Sequence, residues 1–421
     1  MQQSIFLGNR IGYAASKHPY SLPTDLLARH CYVIGKTGTG KTTLLKRMVS
    51  SLILQGRGVG IIDPHGDFGE EILQLVPPER IDDVIYLDPT DDRFAPALNL
   101  VSSHAHPKDR PLIASALVAA FRHIWSDSWG PRMEYILYNA LRALLDSENT
   151  SLASLPRFFS DTDFRQRVLR QCRDPFVRNF WQEEFEAWDR RFQLEAIAPI
   201  QNKLGQFTAM PALRHTLGQV RLRIDFRDIL DSGKILVVNL SKGKLGDDAS
   251  RLLGALLTAY LGSIAQSRAD TPEEQRHDFT LFIDETQNFL SDALASILSE
   301  SRKYGLSLVL SHQFLDQLTP TLQSAVLGNV GTIFAFTVSG DDAGRLARNF
   351  GGDFPPHQFT DLPPYTAMVR ANNEHHFPFR LEVAPPDFHE FGYRDAIVKR
   401  SRQRYCSPRP DVEEKLRRFL Q

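Results

Sequence analysis

Short apolar runs alternate with helical stripes at both ends of the chain, and a long helical stretch separates them. The runs Cys31–Ile34, Val59–Ile62 and Val84–Leu87 come first; Ile235–Leu240, Phe279–Ile283, Leu306–Leu310 and Thr332–Val338 come later. Each is apolar at nearly every position, the pattern of strands buried on both faces of a parallel sheet. Amphipathic helix patterns lie between them. Leu44, Leu45, Met48, Val49, Leu52 and Ile53 share one helical face, and Leu252, Leu253, Leu256, Leu257, Tyr260, Leu261 and Ile264 share another. Strand–helix alternation of this kind predicts an α/β fold with a mostly parallel sheet, whose ligand sites gather at the carboxyl ends of the strands.

From 102 to 227 the rhythm is helical and strand patterns vanish. Met133, Ile136, Leu137, Ala140, Leu141, Leu144 and Leu145 form one apolar stripe, and aromatic residues from Phe176 to Phe192 alternate with charges. Arg157, Arg165, Arg167, Arg170, Arg173 and Arg178 are offset by neighbouring acids, which favours a solvated helix face over a phosphate-contacting one. The expected organisation is an α/β core of residues 1–101 and 228–395, an inserted all-α domain over 102–227, and a basic C-terminal tail over 396–421.

Composition narrows the class only modestly. The 421 residues carry a formal net charge of −1, so any nucleic-acid surface must be local. Cys31, Cys172 and Cys406 show no metal-ligand spacing and read as reduced thiols of a cytoplasmic protein. No apolar run has the length of a membrane span or of a signal-peptide core, so a soluble protein is expected.

The sharpest chemistry lies at 35–43, GKTGTGKTT, between an apolar run and a helix. Gly35, Gly40, Lys41 and Thr42 satisfy the P-loop spacing, and Lys36, Thr37, Gly38, Thr39 and Thr43 complete the stretch. Its glycines let successive N–H groups converge on phosphate oxygens at a helix N-terminus. Lys41 then reaches the β and γ phosphates of ATP, and the Thr42 hydroxyl binds Mg²⁺. A second nucleotide signal ends the run FTLFIDE at 279–285. In a P-loop ATPase, Asp284 orders Mg²⁺ and Glu285 polarises the attacking water. Gln313 ends the next apolar run, where a neutral amide suits sensing of the γ phosphate. ATPases with a catalytic glutamate often place such a strand between the P-loop strand and the carboxylate strand. An arginine from a neighbouring subunit commonly completes such sites, and Arg302, Lys303, Arg345 and Arg348 are the candidates. The DPHGD segment at 63–67 lies at a strand end too, where His65 is expected to make local turn hydrogen bonds.

Taken together, GKTGTGKTT, IIDPHGD at 61–67, FIDETQNF at 282–289, ESRKYGLSLVLSHQ at 300–313 and NVGTIFAF at 329–336 carry a family likeness. They resemble the conjugative coupling ATPases of type IV secretion (TraG/TraD type), within the HerA–FtsK superfamily, from about Phe6 to Pro386. The resemblance implies a RecA-like fold with an inserted all-α domain, a homo-hexameric ring, and ATP-driven movement of DNA through a central pore. By motif, it marks Arg302 as the trans arginine and Gln313 as the γ-phosphate sensor. Secretion or DNA-processing proteins are candidate partners, and two alternative readings stand beside the motor: an ATPase acting on protein cargo, which the near-neutral charge permits, and a nucleotide-dependent scaffold. Two features depart from relatives: the membrane-spanning helices of full coupling proteins and the N-terminal β-barrel of HerA are missing. Thr286 stands where relatives often carry an aromatic residue, a change expected to affect packing.

Overall fold

The computed structural model describes residues 3–289, 292–352, 354–371 and 377–420. Thirteen strands are present among them, in chain order β1 (Ser4–Ile11), β2 (Lys17–Pro23), β3 (Cys31–Ile34), β4 (Gly58–Asp63), β5 (Val84–Leu87), β6 (Phe94–Pro96), β7 (Ile235–Asn239), β8 (Phe279–Ile283), β9 (Leu306–His312), β10 (Thr332–Ala335), β11 (Thr366–Ala371), β12 (Phe379–Val383) and β13 (Cys406–Pro408). The chain divides into two compact units, the first made of Met1–Tyr86, Arg227–Asn239 and Arg268–Lys399.

The first unit is built on an eleven-stranded sheet in the order β2-β1-β12-β11-β10-β3-β9-β8-β4-β7-β5. From β10 through β3, β9, β8 and β4 to β7 the pairing is parallel. All six of these strands are buried at every position, as their unbroken apolar runs require. The helix Lys41–Leu54 lays Leu44, Leu45, Met48, Val49, Leu52 and Ile53 into the core, so the apolar face read from the sequence is the buried one. β9 lies between β3 and β8, which sets the P-loop strand and the carboxylate strand one strand apart.

Four strands, β11, β12, β1 and β2, extend the sheet in antiparallel fashion and carry no clear signal in the sequence. β1 has a register shift between Phe6 and Gly8, which breaks its alternation. β2 contains Pro19 and Pro23 and forms the sheet edge, where a missing N–H costs no ladder bond.

The second unit comprises Leu87–Phe226, Leu240–Ser267 and Arg400–Gln421. Helices dominate it, including Arg110–Ile124, Pro131–Asp146, Arg190–Ala209 and Asp247–Ser267, and β6 pairs with β13 as a short ribbon. The stripe from Met133 to Leu145 is buried throughout. Phe158, Trp181, Phe185 and Trp188 form a chain of ring contacts with centroids 4.8, 4.9 and 5.2 Å apart. Arg157 and Arg165 are spent on Asp161 and Glu186 within this unit, at 3.0 and 2.9 Å. The basic C-terminal residues form a helix (Arg394–Tyr405), β13, and a helix (Arg409–Leu420). Among the described residues no helix is long and apolar enough to cross a membrane.

Candidate nucleotide site

The first unit brings its chemistry to the carboxyl ends of β3, β9, β8 and β4. β3 runs into the P-loop, whose path is fixed by backbone bonds to two neighbouring strand ends. The Gly35 N–H donates to His312 O at 3.3 Å, and the Lys36 N–H to Thr337 O at 2.8 Å. The Thr39 hydroxyl closes the loop on Lys36 O at 2.7 Å. Two glycines are obligatory here. A Cβ at Gly35 would lie 2.5 Å from Phe336 Cβ, and Gly40 sits at φ +113° with Tyr365 Cα 3.0 Å from where its Cβ would stand. Gly40 then caps the helix that begins at Lys41.

Lys41 is buried, and its ammonium folds back to donate to Lys36 O at 3.0 Å and to Gly35 O. Burial pushes its pKa down, while the charges of Glu285 and Asp284 oppose that shift, which places both carboxylates within electrostatic reach of the P-loop lysine. Lys36, Thr37, Gly38 and Thr42 are exposed, and Thr39 and Thr43 are half-buried. Thr42 is thus solvent-accessible on the first helical turn.

Asp284 and Glu285 follow β8 directly. The Asp284 N–H donates to Ile62 O at 3.3 Å, which ties the acidic pair to the end of β4. There Asp63 is fully buried and accepts from the N–H groups of His65 at 2.8 Å and Gly69 at 2.9 Å. The expected local turn bond of His65 is thus made by its backbone, while its ring is exposed. Burial raises the Asp284 pKa, repulsion from Glu285 and Asp63 raises it further, and the bond from the Glu285 N–H offsets part of this. A divalent cation beside Asp284 relieves that repulsion, and an oxygen donor set of Thr42 and Asp284 suits Mg²⁺, so the residues present fit the ion.

Glu285 is buried and takes a left-handed backbone conformation, φ 45° and ψ 54°, which a non-glycine residue adopts only when its surroundings hold it there. Several bonds do so. Asn288 Nδ2 donates to Glu285 O at 2.8 Å, and the Thr286 hydroxyl lies 2.9 Å from both Ile283 O and Ser311 O while accepting from the Ser311 N–H at 3.0 Å. Thr286 therefore ties the end of β8 to β9. The carboxylate itself accepts from Gln313 Nε2 at 2.6 Å and from Gln287 Nε2 at 2.7 Å. Neither Thr286 nor Gln287 carries a site signal in the sequence beyond adjacency to the acidic pair.

Next to Gln313, His312 is fully buried and shares a hydrogen bond of 3.1 Å with the Tyr32 hydroxyl. Burial, assisted by the charge of Lys41, lowers its pKa to about 3, so it is neutral.

Arg302 is not brought to this cluster. It is exposed on the turn Ser301–Tyr304 that enters β9, whereas Gln313 leaves the other end. Seven residues of strand separate the two, roughly 23 Å at ~3.3 Å per residue. Arg345 is held by Asp316 at 2.5 Å, and Arg348 is exposed.

Residues 17–353 match the type IV secretion-system coupling protein DNA-binding domain family. The chain belongs to that family. No curated protein matches it in sequence at a significant level. Among solved structures, the plasmid coupling protein TrwB in complex with ADP and Mg²⁺ superposes with a TM-score of 0.68 at 18% identity, covering 94% of this chain and 98% of that one. TrwB in complex with the ATP analogue ADPNP gives 0.67 at 19% identity, covering 93% and 97%. VirB4 of Thermoanaerobacter pseudethanolicus gives 0.56 at 15%, covering 91% and 97%. At these identities the likeness is one of fold, and the coupling-protein chain has the RecA-like P-loop NTPase architecture.

Proposed function

We propose that this coupling-protein family member is a Mg²⁺-dependent ATPase that couples hydrolysis, at subunit interfaces of a homo-hexameric ring, to DNA binding and translocation, as in conjugative DNA transfer. One observation carries the reading: the P-loop lysine, the acidic pair and the Gln313 amide converge at adjacent strand ends of a coupling-protein fold.

In this reading the P-loop N–H groups and Lys41 hold the phosphates, and Lys41 exchanges its present carbonyl partners for β and γ oxygens. Thr42 and Asp284 hold Mg²⁺, which supplies charge neutralisation on the phosphates when bound. Glu285 accepts a proton from the attacking water as the water oxygen bonds to the γ phosphorus. The bond from that phosphorus to the β–γ bridging oxygen breaks, and its electron pair stays on ADP. Gln313 reports on the γ phosphate in this reading, because its amide nitrogen has a second N–H that can donate to a phosphate oxygen.

Arg302 stands at the opposite end of the strands from its own P-loop, and in this reading it serves the neighbouring subunit's nucleotide. DNA is held mainly through its phosphates, with little base reading. Three buried free thiols suit the reducing cytoplasm. Secretion or DNA-processing proteins are its proposed partners.

The test is the ATPase rate with and without single- and double-stranded DNA for wild type, Lys41→Ala and Glu285→Gln. Stimulation by DNA in wild type alone supports the reading; hydrolysis indifferent to DNA, with no DNA binding at low salt, sinks it.

A further inference from the structure

Glu285 is held by two amides, and only one of them has an evident part in the nucleotide site. Gln287 Nε2 donates to Glu285 Oε2 at 2.7 Å while Gln313 Nε2 donates to Oε1 at 2.6 Å. The orientation of the Gln287 amide is fixed by chemistry, since turning it over would set its oxygen against a carboxylate oxygen. Gln287 Oε1 is buried and has no hydrogen-bond partner among the described residues. A buried carbonyl left unpaired costs about 1–3 kcal/mol, so such an atom in a reactive site points to a donor that arrives with the substrate.

We propose that Gln287 is a water-positioning residue: Glu285 takes one O–H of the attacking water, and Gln287 Oε1 takes the other. A water oriented by two acceptors turns a lone pair outward, toward the γ phosphorus, in place of rotating freely against a single carboxylate. The proton that leaves as the oxygen–phosphorus bond forms goes to Glu285, and the second proton stays on the phosphate product. Gln287 exchanges no proton. Its donation to Oε2 persists when the γ phosphate engages Gln313, so the carboxylate keeps a fixed orientation at the moment of reaction. The left-handed backbone at Glu285 makes this possible, because it begins the short turn Thr286–Asn288 that brings Gln287 back to the carboxylate two residues earlier.

This inference rests on Glu285 being the base, and the experiment separates the two claims. Steady-state ATPase and nucleotide affinity are measured for Gln287→Ala, for the near-isosteric Gln287→Met, and for each combined with Glu285→Gln. The expected result is a kcat lowered roughly 10- to 100-fold in both single variants, with the affinity for a non-hydrolysable ATP analogue within about twofold of wild type. Combined with Glu285→Gln, neither should lower the rate further, because both residues act on one water. Wild-type kcat in Gln287→Met overturns the proposal, as does a double variant whose loss is the product of the singles. If Glu285→Gln itself retains full hydrolysis, the base assignment falls and this proposal with it. Should Gln287→Ala fail to fold, judged by its melting curve, Gln287→Met decides.

Discussion

Gln313 Nε2 lies 2.6 Å from Glu285 Oε1, so the amide at the tip of β9 donates to the carboxylate at the tip of β8. The bond joins a proposed sensor to a proposed base. Gln313→Ala removes the proposed contact to the γ phosphate while the Gln287 bond still holds the carboxylate and the phosphate cradle stays intact. Gln313→Ala is expected to lower kcat by roughly 10- to 100-fold, with ATP affinity nearly unchanged. Steady-state kinetics beside equilibrium binding of a fluorescent nucleotide measure the split. A variant that loses affinity and rate in equal proportion would place Gln313 in ground-state binding instead.

Asp284 illustrates a cost to stability accepted for function. Burial and the charges of Glu285 and Asp63 raise its pKa, so the fold favours the protonated form. Its contribution to stability is therefore full at low pH and is lost as pH rises through the raised value, where the carboxylate ionises against its charged neighbours. Asp284→Asn is expected to raise the Tm of the nucleotide-free, Mg²⁺-free protein at pH 7 and to lower Mg²⁺-dependent hydrolysis by about 100-fold or more. Melting curves with and without Mg²⁺ check both halves: Mg²⁺ should stabilise wild type more than the variant.

Two buried histidines make the nucleotide unit sensitive to acid. Burial, with Lys41 adding to it, lowers His312 to about 3. Burial also lowers His30 to about 4, with the charge of Arg302 assisting. Both values lie below the ~6.5 of an unfolded histidine. Stability is therefore full above that pH and falls as pH drops from there through 4 toward 3, at about 1.4 kcal/mol per pH unit for each histidine. His312→Gln is expected to flatten the slope of unfolding free energy by that amount between pH 6 and 4. Equal slopes in urea titrations of the two proteins would show that His312 does not titrate on unfolding.

Much of this site is legible in the sequence because its parts are encoded locally. The P-loop spacing dictates a loop shape, and an apolar run ending in Asp284-Glu285 dictates a carboxylate at a strand tip. Gln313 could be placed because its strand directly follows the acidic pair in the chain. The left-handed turn at Glu285 is invisible, since a backbone angle enforced by Thr286, Ser311 and Asn288 leaves no periodicity behind. Gln287 is hidden for the same reason: only that turn brings its amide to the carboxylate. The antiparallel half of the sheet is obscured by Pro19, Pro23 and the irregularity before Gly8, which edge and bulge positions tolerate.

The position of Arg302 makes assembly testable without a structure of the ring. Lys41→Ala and Arg302→Ala chains should each be nearly inactive alone. Mixed in equal amounts, they should regain about a quarter of wild-type activity per site, because some interfaces pair an intact P-loop with an intact arginine from the neighbour. No recovery on mixing, in chains shown to co-assemble, would assign the arginine to its own subunit or to no catalytic part.

The most direct test of an ATP-driven DNA motor is movement itself, followed as displacement of a triplex-forming strand from duplex DNA or of streptavidin from a biotinylated single strand. Displacement is expected with ATP and Mg²⁺ in wild type, and is expected to be absent with a non-hydrolysable analogue and in Glu285→Gln. ATP hydrolysis without displacement on either substrate, from either end, would contradict the motor and leave an ATPase with another cargo.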